Sequence, residues 1–369
     1  MAGTYKFISK FGLPDGQMCS RNTFFINNCL YIFGYRKWNV SSASFVRKGW
    51  KLDITTGQWT DLGGMDTNIA GTEEGRGTYC PTTNKIYFYD SYLYMYPYDV
   101  ANNTWGTRKQ ISVVSSSSIS AHHYNGNNYF IYNGGNCKIV KHDPTNDSFT
   151  DFLTLGFTST SGMASVIVGD SIYLSGRAGQ GARLDIINLT TRTVSQSANL
   201  TGVTGFESPI LCAVGTKIRL MGYHNTFSVV GNIYDYNINT DSWSGILGTM
   251  PVAVCNTNAF QYEGNTSVIG GDTTRSSWQG TSTIVQFSYT LDTPTNFVAA
   301  LNTEGNIVLT WVNNSVESTH ILVDRKKTNE SIFTTIATLP ANATTYTDTI
   351  TDTEFVYNYR IRAKQILIY

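Results

Sequence analysis

The feature that most constrains this chain is an internal repeat of about 45 residues. Five segments, Trp50–Trp59, Tyr98–Trp105, Lys141–Phe149, Asp185–Val194 and Tyr234–Trp243, carry an aspartate or asparagine, a polar turn and then a large apolar residue. Their closing residues Trp59, Trp105, Phe149, Val194 and Trp243 are spaced by 46, 44, 45 and 49 positions. A second element keeps step with them. Leu30–Gly34, Ile86–Tyr89, Tyr129–Gly135, Ile172–Gly176, Ile218–Gly222 and Ser267–Gly271 are short apolar runs, most of which end at glycine. A unit of this length cannot bury its faces alone, so neighbouring units must stack into one continuous core.

Composition agrees with strands and turns. Hydrophobic residues make up 41% of the 369 and charged residues only 14%, which leaves a surface rich in Asn, Thr, Ser, Gly and Tyr. Lys plus Arg and Asp plus Glu both number 26, and zero net charge argues against a duplex nucleic-acid binder. Met1–Gly16 lacks the basic and apolar regions of a secretory leader. No apolar run reaches the roughly eighteen residues of a membrane-spanning helix. The expectation is a chain that folds in a cytoplasm without membrane insertion. Cys19, Cys29, Cys80, Cys137, Cys212 and Cys255 include no CxxC pair. Buried free thiols, a disulfide or two, and metal ligands are the competing readings, and free thiols fit a reducing compartment best.

The recurring elements resemble the kelch repeat, whose signature is a glycine doublet, a tyrosine-aspartate and then a tryptophan. Gly134-Gly135 and Gly270-Gly271 keep the doublet, and Tyr98-Asp99 and Tyr234-Asp235 supply the dipeptide. The resemblance covers about residues 4–292 and implies an all-β fold, a six-bladed kelch-like β-propeller of four-stranded blades. The glycine would let the second strand pack tightly, the aspartate would make the hairpin turn, and the aromatic would fill the space between blades. Residues 4–13 precede the first unit with the character of an outer strand, and Ser282–Tyr289 has none after it. The N-terminal strand is therefore expected to close blade six, giving a propeller domain over 1–292.

Thr293-Pro294 opens a different pattern of short alternating strands, a second domain over 293–369. It resembles a fibronectin type III β-sandwich, with Trp311 in the core, a turn at Tyr346–Asp348 and Tyr357 and Tyr359 on the penultimate strand. Only Gln365–Tyr369 follows, so either that stub turns back sharply or the last strand is missing; the expectation is that a partner strand completes the sheet by β-addition.

No catalytic constellation is present, and the expectation is a protein that is not an enzyme and needs no cofactor or metal. There is no HExxH, GxSxG, P-loop or GxGxxG, and Gly176–Gly181 reads as a blade-four loop. His122 and His123 are adjacent and point to opposite faces of a strand, as a turn or channel-facing pair rather than a metal site. Binding is expected on the uneven loops Tyr35–Lys48, Tyr223–Ser228 and Asp272–Gln279. Their candidates are Arg36, Trp38, Tyr223, His224, Arg275 and Trp278, either as a recognition surface or as loop packing. Tyr92, Tyr94, Tyr96 and Tyr98 share one face of a strand, either as packing between blades or as a stacking platform for sugars.

A propeller joined to a fibronectin-like module resembles structural proteins of bacteriophage particles. The resemblance implies a virion component of tail, fibre or head decoration. Its partners would be other virion proteins or a host-surface glycan or protein. A carbohydrate-binding or adhesion protein at the cell surface and an intracellular kelch scaffold are the alternatives.

Overall fold

A computed structural model describes residues 5–15, 18–20, 22–39, 42–65, 76–90, 94–112, 118–132, 136–157, 163–175, 181–224, 228–250, 252–255, 257–262, 265–271, 273, 283–289, 293–315, 318, 320–350 and 355–364. Among these residues the chain is all-β, without helices.

It opens with β1 (Tyr5–Gly12). The first sheet holds β2 (Met18–Cys19), β3 (Thr23–Ile26), β4 (Cys29–Asn39), β5 (Ser42–Asp53) and β6 (Gln58–Gly64) in the order β2–β4–β5–β6, with β3 also on β4. The second holds β7 (Arg76–Cys80), β8 (Lys85–Tyr89), β9 (Tyr94–Asp99) and β10 (Thr104–Trp105) in sequence, with β11 (Lys109–Gln110) on β9. The third is β12 (Ser118–Tyr124), β13 (Asn127–Tyr132), β14 (Lys138–Asp143) and β15 (Ser148–Thr154). The fourth is β16 (Ala164–Val168), β17 (Ser171–Ser175), β18 (Asp185–Asn188) and β19 (Thr193–Gln196). The fifth is β20 (Ile210–Val214), β21 (Lys217–His224), β22 (Val229–Asn237) and β23 (Ser242–Trp243), with β24 (Gly248–Thr249) on β22. In the sixth, β25 (Ala259–Tyr262), β26 (Asn265–Ile269) and β27 (Thr283–Tyr289) are followed spatially by β1, which takes the outermost place.

Two short sheets complete the chain. One has the order β28 (Thr295–Leu301), β29 (Ile307–Val312), β32 (Thr345–Asp348); the other runs β31 (Thr334–Pro340), β30 (His320–Lys327), β33 (Tyr357–Lys364). The chain divides into a larger unit, Phe7–Gln261 with Thr266–Gln286, and a smaller one, Phe287–Tyr369 with Met1–Lys6 and Tyr262–Asn265.

The same turn joins the third and fourth strands of the first five sheets. Asp53, Asp99, Asp143, Asn188 and Asn237 each accept hydrogen bonds of 2.8–3.1 Å through Oδ1 from backbone N–H groups two or three residues ahead. Such Asx turns reverse the chain locally. Four residues after each comes a left-handed residue: Gly57, Asn103, Asp147, Arg192 and Asp241, with φ of 45–73°. Two residues later stands the repeated Trp59, Trp105, Phe149, Val194 or Trp243. The first-to-second hairpins use mirror-image turn geometry at Asn27-Asn28 and Asn125-Gly126, where both φ values are positive, which matches strand twist. The fifth unit shows a shift of register. Its turn residue is Asn237, two positions beyond Asp235, whose tyrosine-aspartate sequence mimics the motif.

Each sheet buries its faces against the next. Ile26, Tyr31 and Phe33 of the first meet Ile86, Phe88, Tyr96 and Tyr98 of the second. Tyr87, Tyr89 and Met95 meet Phe130, Tyr132 and Val140 of the third. Ile131 and Ile139 meet Ile172, Leu174 and Ile187 of the fourth, and Tyr173 and Leu184 meet Ile218, Leu220 and Tyr236 of the fifth. Five cysteines, Cys29, Cys80, Cys137, Cys212 and Cys255, are free thiols within this packing.

Polar contacts also join the fifth and sixth sheets. Arg219 donates to Asp235 from Nε (2.8 Å) and from its second terminal nitrogen (2.9 Å), and to Thr266 Oγ1 at 3.2 Å. Gln261 donates to the same threonine at 2.6 Å and to Cys212 Sγ at 3.3 Å. The sixth sheet also touches the first: Phe25 and Phe260 stack at 5.2 Å, and Thr257 donates to Ser20 O at 3.1 Å.

In the smaller unit, Leu309, Trp311, Ile321, Val323 and Ile361 form the core. Tyr346–Asp348, expected as a turn, lies within strand β32 because Ile307–Thr310 pairs with it. Asp324, wholly buried, accepts from Arg360 (2.7 Å), Arg362 (2.6 and 3.0 Å) and Thr335 (2.7 Å). Burial would raise its pKa, but these donors outweigh it and hold the carboxyl down to about 2.

Two measurements check this account. Gly222 has φ +63° and an added Cβ would lie 1.9 Å from Val254 O, whereas Gly202, at φ +80°, faces open space. Gly202→Ala should cost only the left-handed strain of about 1–2 kcal/mol, and Gly222→Ala should cost more than 4 kcal/mol by denaturant titration. Arg219→Met strands a buried carboxylate and should cost about 3–5 kcal/mol, most of it recovered in Arg219→Met/Asp235→Leu.

Candidate functional site

The first strands or strand entries of the six sheets line one cavity of about 220 Å³, and every residue lining it belongs to the larger unit. Thr23 and Phe24 come from β3, Thr78 from β7, and Ser120 and His122 from β12. Ser165 comes from β16 and Leu211 from β20, with Thr257 and Asn258 just before β25. These strands face the cavity because their sheets meet there edge to edge. Alternation then decides which side chains enter it.

Ser120 and His122 are two residues apart on β12 and share a face. His122 Nε2 lies 2.6 Å from Ser165 Oγ, bridging the third and fourth sheets. Burial pushes the imidazole down to about 4, so it is neutral at neutral pH. Ser120 is 6% exposed and its hydroxyl has no hydrogen-bond partner within the protein. Thr257 is committed elsewhere, donating to Ser20 O and Ile269 O. Arg76 also lines the cavity and is itself engaged in an interaction. Among the described lining residues there is no carboxylate.

His123 points away from the cavity. Its Nδ1 lies 2.8 Å from Asn128 Oδ1, and its ring is hydrogen-bonded to Cys80. Burial raises the Cys80 thiol, but hydrogen bonds from His123, Thr82 and Thr83 outweigh it and hold the thiol at about 6. The order thiol, imidazole, amide is that of a cysteine nucleophile. Cys80 is 0% exposed, however, and a substrate has no surface of it to meet. Asn128 continues the chain inward to His142, whose Nδ1 also meets Tyr89 OH at 2.9 Å and whose Nε2 meets Asp147 at 3.1 Å. This is a buried polar network at the seam of the second and third sheets.

The residues singled out from sequence are not brought together at the cavity. Arg36 and Trp38 lie on β4, in a hairpin arm where Arg36 pairs with Phe45 and Trp38 with Ala43. The expected loop Tyr35–Lys48 is therefore largely two paired strands. Tyr223 is 4% exposed and packs edge-on against Phe206 at 5.7 Å, so it belongs to the core and not to an accessible loop. His224 pairs with Val229 at the strand end. Arg275, Trp278 and Tyr92 lie outside the described residues. Tyr96 and Tyr98 are 0% and 1% exposed between the first and second sheets, which leaves no ring face for a sugar. Among the described tyrosines of that row only Tyr94 is partly exposed, and it carries Arg108 over its ring at 4.4 Å.

The sequence marks His122 and His123 as a turn or channel-facing pair but does not single out Ser120 or Ser165. The Ser-x-His alternation over 120–122 was the available signal. Nothing local in the sequence marks Ser165 as its neighbour.

His122 yields a pH test. An unfolded histidine titrates near 6.5 and this one near 4, so between those values only the unfolded chain takes up the proton. Its contribution to stability should be present above pH 6.5 and fall away as pH drops to 4, by about 3 kcal/mol at most. His122→Gln should remove that part of the pH dependence of unfolding, read as wild type minus variant.

No family model matches the chain, and no curated protein matches it in sequence. Similar folds are common among solved structures, with 1089 matching chains, so likeness alone assigns no function. One of them, titled "Structure of YjhT", is a kelch-like β-propeller protein. It is 13% identical, with a TM-score of 0.60 over 74% of this chain and 96% of that one. At that identity the likeness speaks for fold alone: the chain is all-β and propeller-like.

Proposed function

We propose that this chain is a six-bladed kelch-like β-propeller followed by a fibronectin type III-like sandwich. In this reading it serves as a non-catalytic structural and interaction protein of a bacteriophage particle, in the tail, a fibre or the head decoration. The repeated Asx turn with its left-handed residue and aromatic supports the blades. The strand order of the smaller unit, three strands facing three across Trp311, supports the sandwich.

The observation that carries the interaction reading is β28. All seven of its residues are exposed, including Val298 at 54% and Leu301 at 70%, and among the described residues it pairs on one side only, with β29. An open strand edge with aliphatic side chains is a template for another chain, and proteins usually cover one. Strand addition by another virion protein would cover it, as it would the outer edge of β33. The axial cavity favours a second reading, a carbohydrate-binding or adhesion protein.

Affinity capture from a phage lysate with the full chain separates the two. Virion proteins should be recovered, and Val298→Lys/Leu301→Lys should reduce that recovery at least tenfold with the fold intact by circular dichroism. Capture of host-surface glycoconjugates by both proteins, without virion proteins, would overturn the assignment to the particle.

A further inference from the structure

We propose that the axial cavity is a binding site for one small, uncharged polyhydroxy molecule, a single sugar ring or a polyol of that size. The inference rests on the propeller geometry and is independent of membership in a virus particle.

The walls specify the ligand. A volume of about 220 Å³ lies below the range usual for drug-sized ligands, which limits the guest to one ring or a short chain. One side offers groups that both donate and accept, the hydroxyls of Thr78, Ser120 and Ser165 with the imidazole of His122. A hydroxyl-rich guest has the same dual character. Another part of the wall is apolar, including Phe24, whose ring is fixed edge-on against Phe88 at 5.6 Å and suits the C–H face of a sugar.

Charge points the same way. No carboxylate lines the cavity among the described residues, so a cation finds no counter-charge there. The imidazole is neutral at neutral pH, and Arg76 is already engaged within the protein. An uncharged guest therefore fits best.

Ser120 indicates that a guest is expected. Its buried hydroxyl lacks a partner, whereas that of Ser165 in the same lining is bonded to His122 at 2.6 Å. Leaving such a group unpaired is unfavourable. A ligand hydroxyl would satisfy it.

The test uses the full chain, with titration calorimetry and thermal shift against neutral hexoses, N-acetylhexosamines and inositol, and against glucuronate and acetate as charged probes. At least one neutral compound should bind at millimolar concentration or tighter. Ser120→Ala should weaken that binding roughly tenfold, the equivalent of one hydrogen bond, while leaving the melting temperature of the free protein unchanged or higher. Printed glycans add a second arm. Binding there as well as to free sugars makes the guest the terminal residue of a glycan, and binding to free sugars alone makes it a solute, either of which supports the site. The proposal is overturned if no neutral compound binds, if Ser120→Ala and Ser120→Val bind as wild type does, or if only the charged probes bind.

Discussion

Everything in the larger unit depends on the fact that no sheet can bury its own faces. The second strands show this most plainly: β17 is buried at all five positions and β13 at five of its six. A strand buried on both faces inside one thin sheet needs a neighbour on each side. Phe33, at 0% exposure, meets that need with rings from the next sheet, Phe88 at 5.3 Å, Tyr98 at 4.8 Å and Trp105 at 5.7 Å. Each such aromatic contributes roughly 1.5–3 kcal/mol by burial. Because every seam is shared, losing one sheet exposes the faces of two others, which makes the array cooperative.

One seam carries directional polar contacts as well. Within the fifth sheet a bidentate Arg219–Asp235 pair, both side chains 5% exposed, holds the guanidinium that also donates to Thr266 of the sixth. Buried pairs contribute little net stability against a hydrophobic equivalent, but they are intolerant of wrong alignment. The sixth sheet is also where strands from the two ends of the larger unit's sequence meet, since β1 lies beside β27. Pairing strands so distant in sequence needs a defined register more than it needs extra burial. A directional contact provides that, where sliding aliphatic faces would not.

Much of this was legible from sequence because the period of the repeat is set by the seams. All six second strands fall where the apolar runs stand, and the large apolar residues open the fourth strands as spaced. The fifth turn was misplaced by two residues because Tyr234-Asp235 and Tyr236-Asn237 both read as strand-then-turn. Only burial of the aspartate beside Arg219 separates them. Binding residues were much less legible. Aromatics next to polar residues in Tyr35–Lys48 and Tyr92–Tyr98 look alike in sequence, whether they face solvent or the next sheet. Tyr96 resolves to the core because the neighbouring sheet lies over it, a long-range fact that no local pattern holds. The cavity is harder still, since its lining comes from six short segments far apart in the sequence.

The two units handle polar groups in opposite ways, and that bears on where partners act. In the larger unit buried polar side chains gather at the cavity and in the Cys80–His123–Asn128–His142 network. In the smaller unit the charges are arranged around one buried carboxylate, Asp324, whose arginine partners remain 45–47% exposed. Its aliphatic side chains Leu301, Ile332 and Val356 stand 70–75% exposed. A buried carboxylate held by several donors fixes the β30–β33 pairing rigidly, so the open edges of that unit are presented in a defined geometry. Rigid edges lose little entropy when a strand adds to them. The proposed small-molecule site and the proposed strand addition thus fall in different units, one at the cavity of the larger and the other at the strand edges of the smaller.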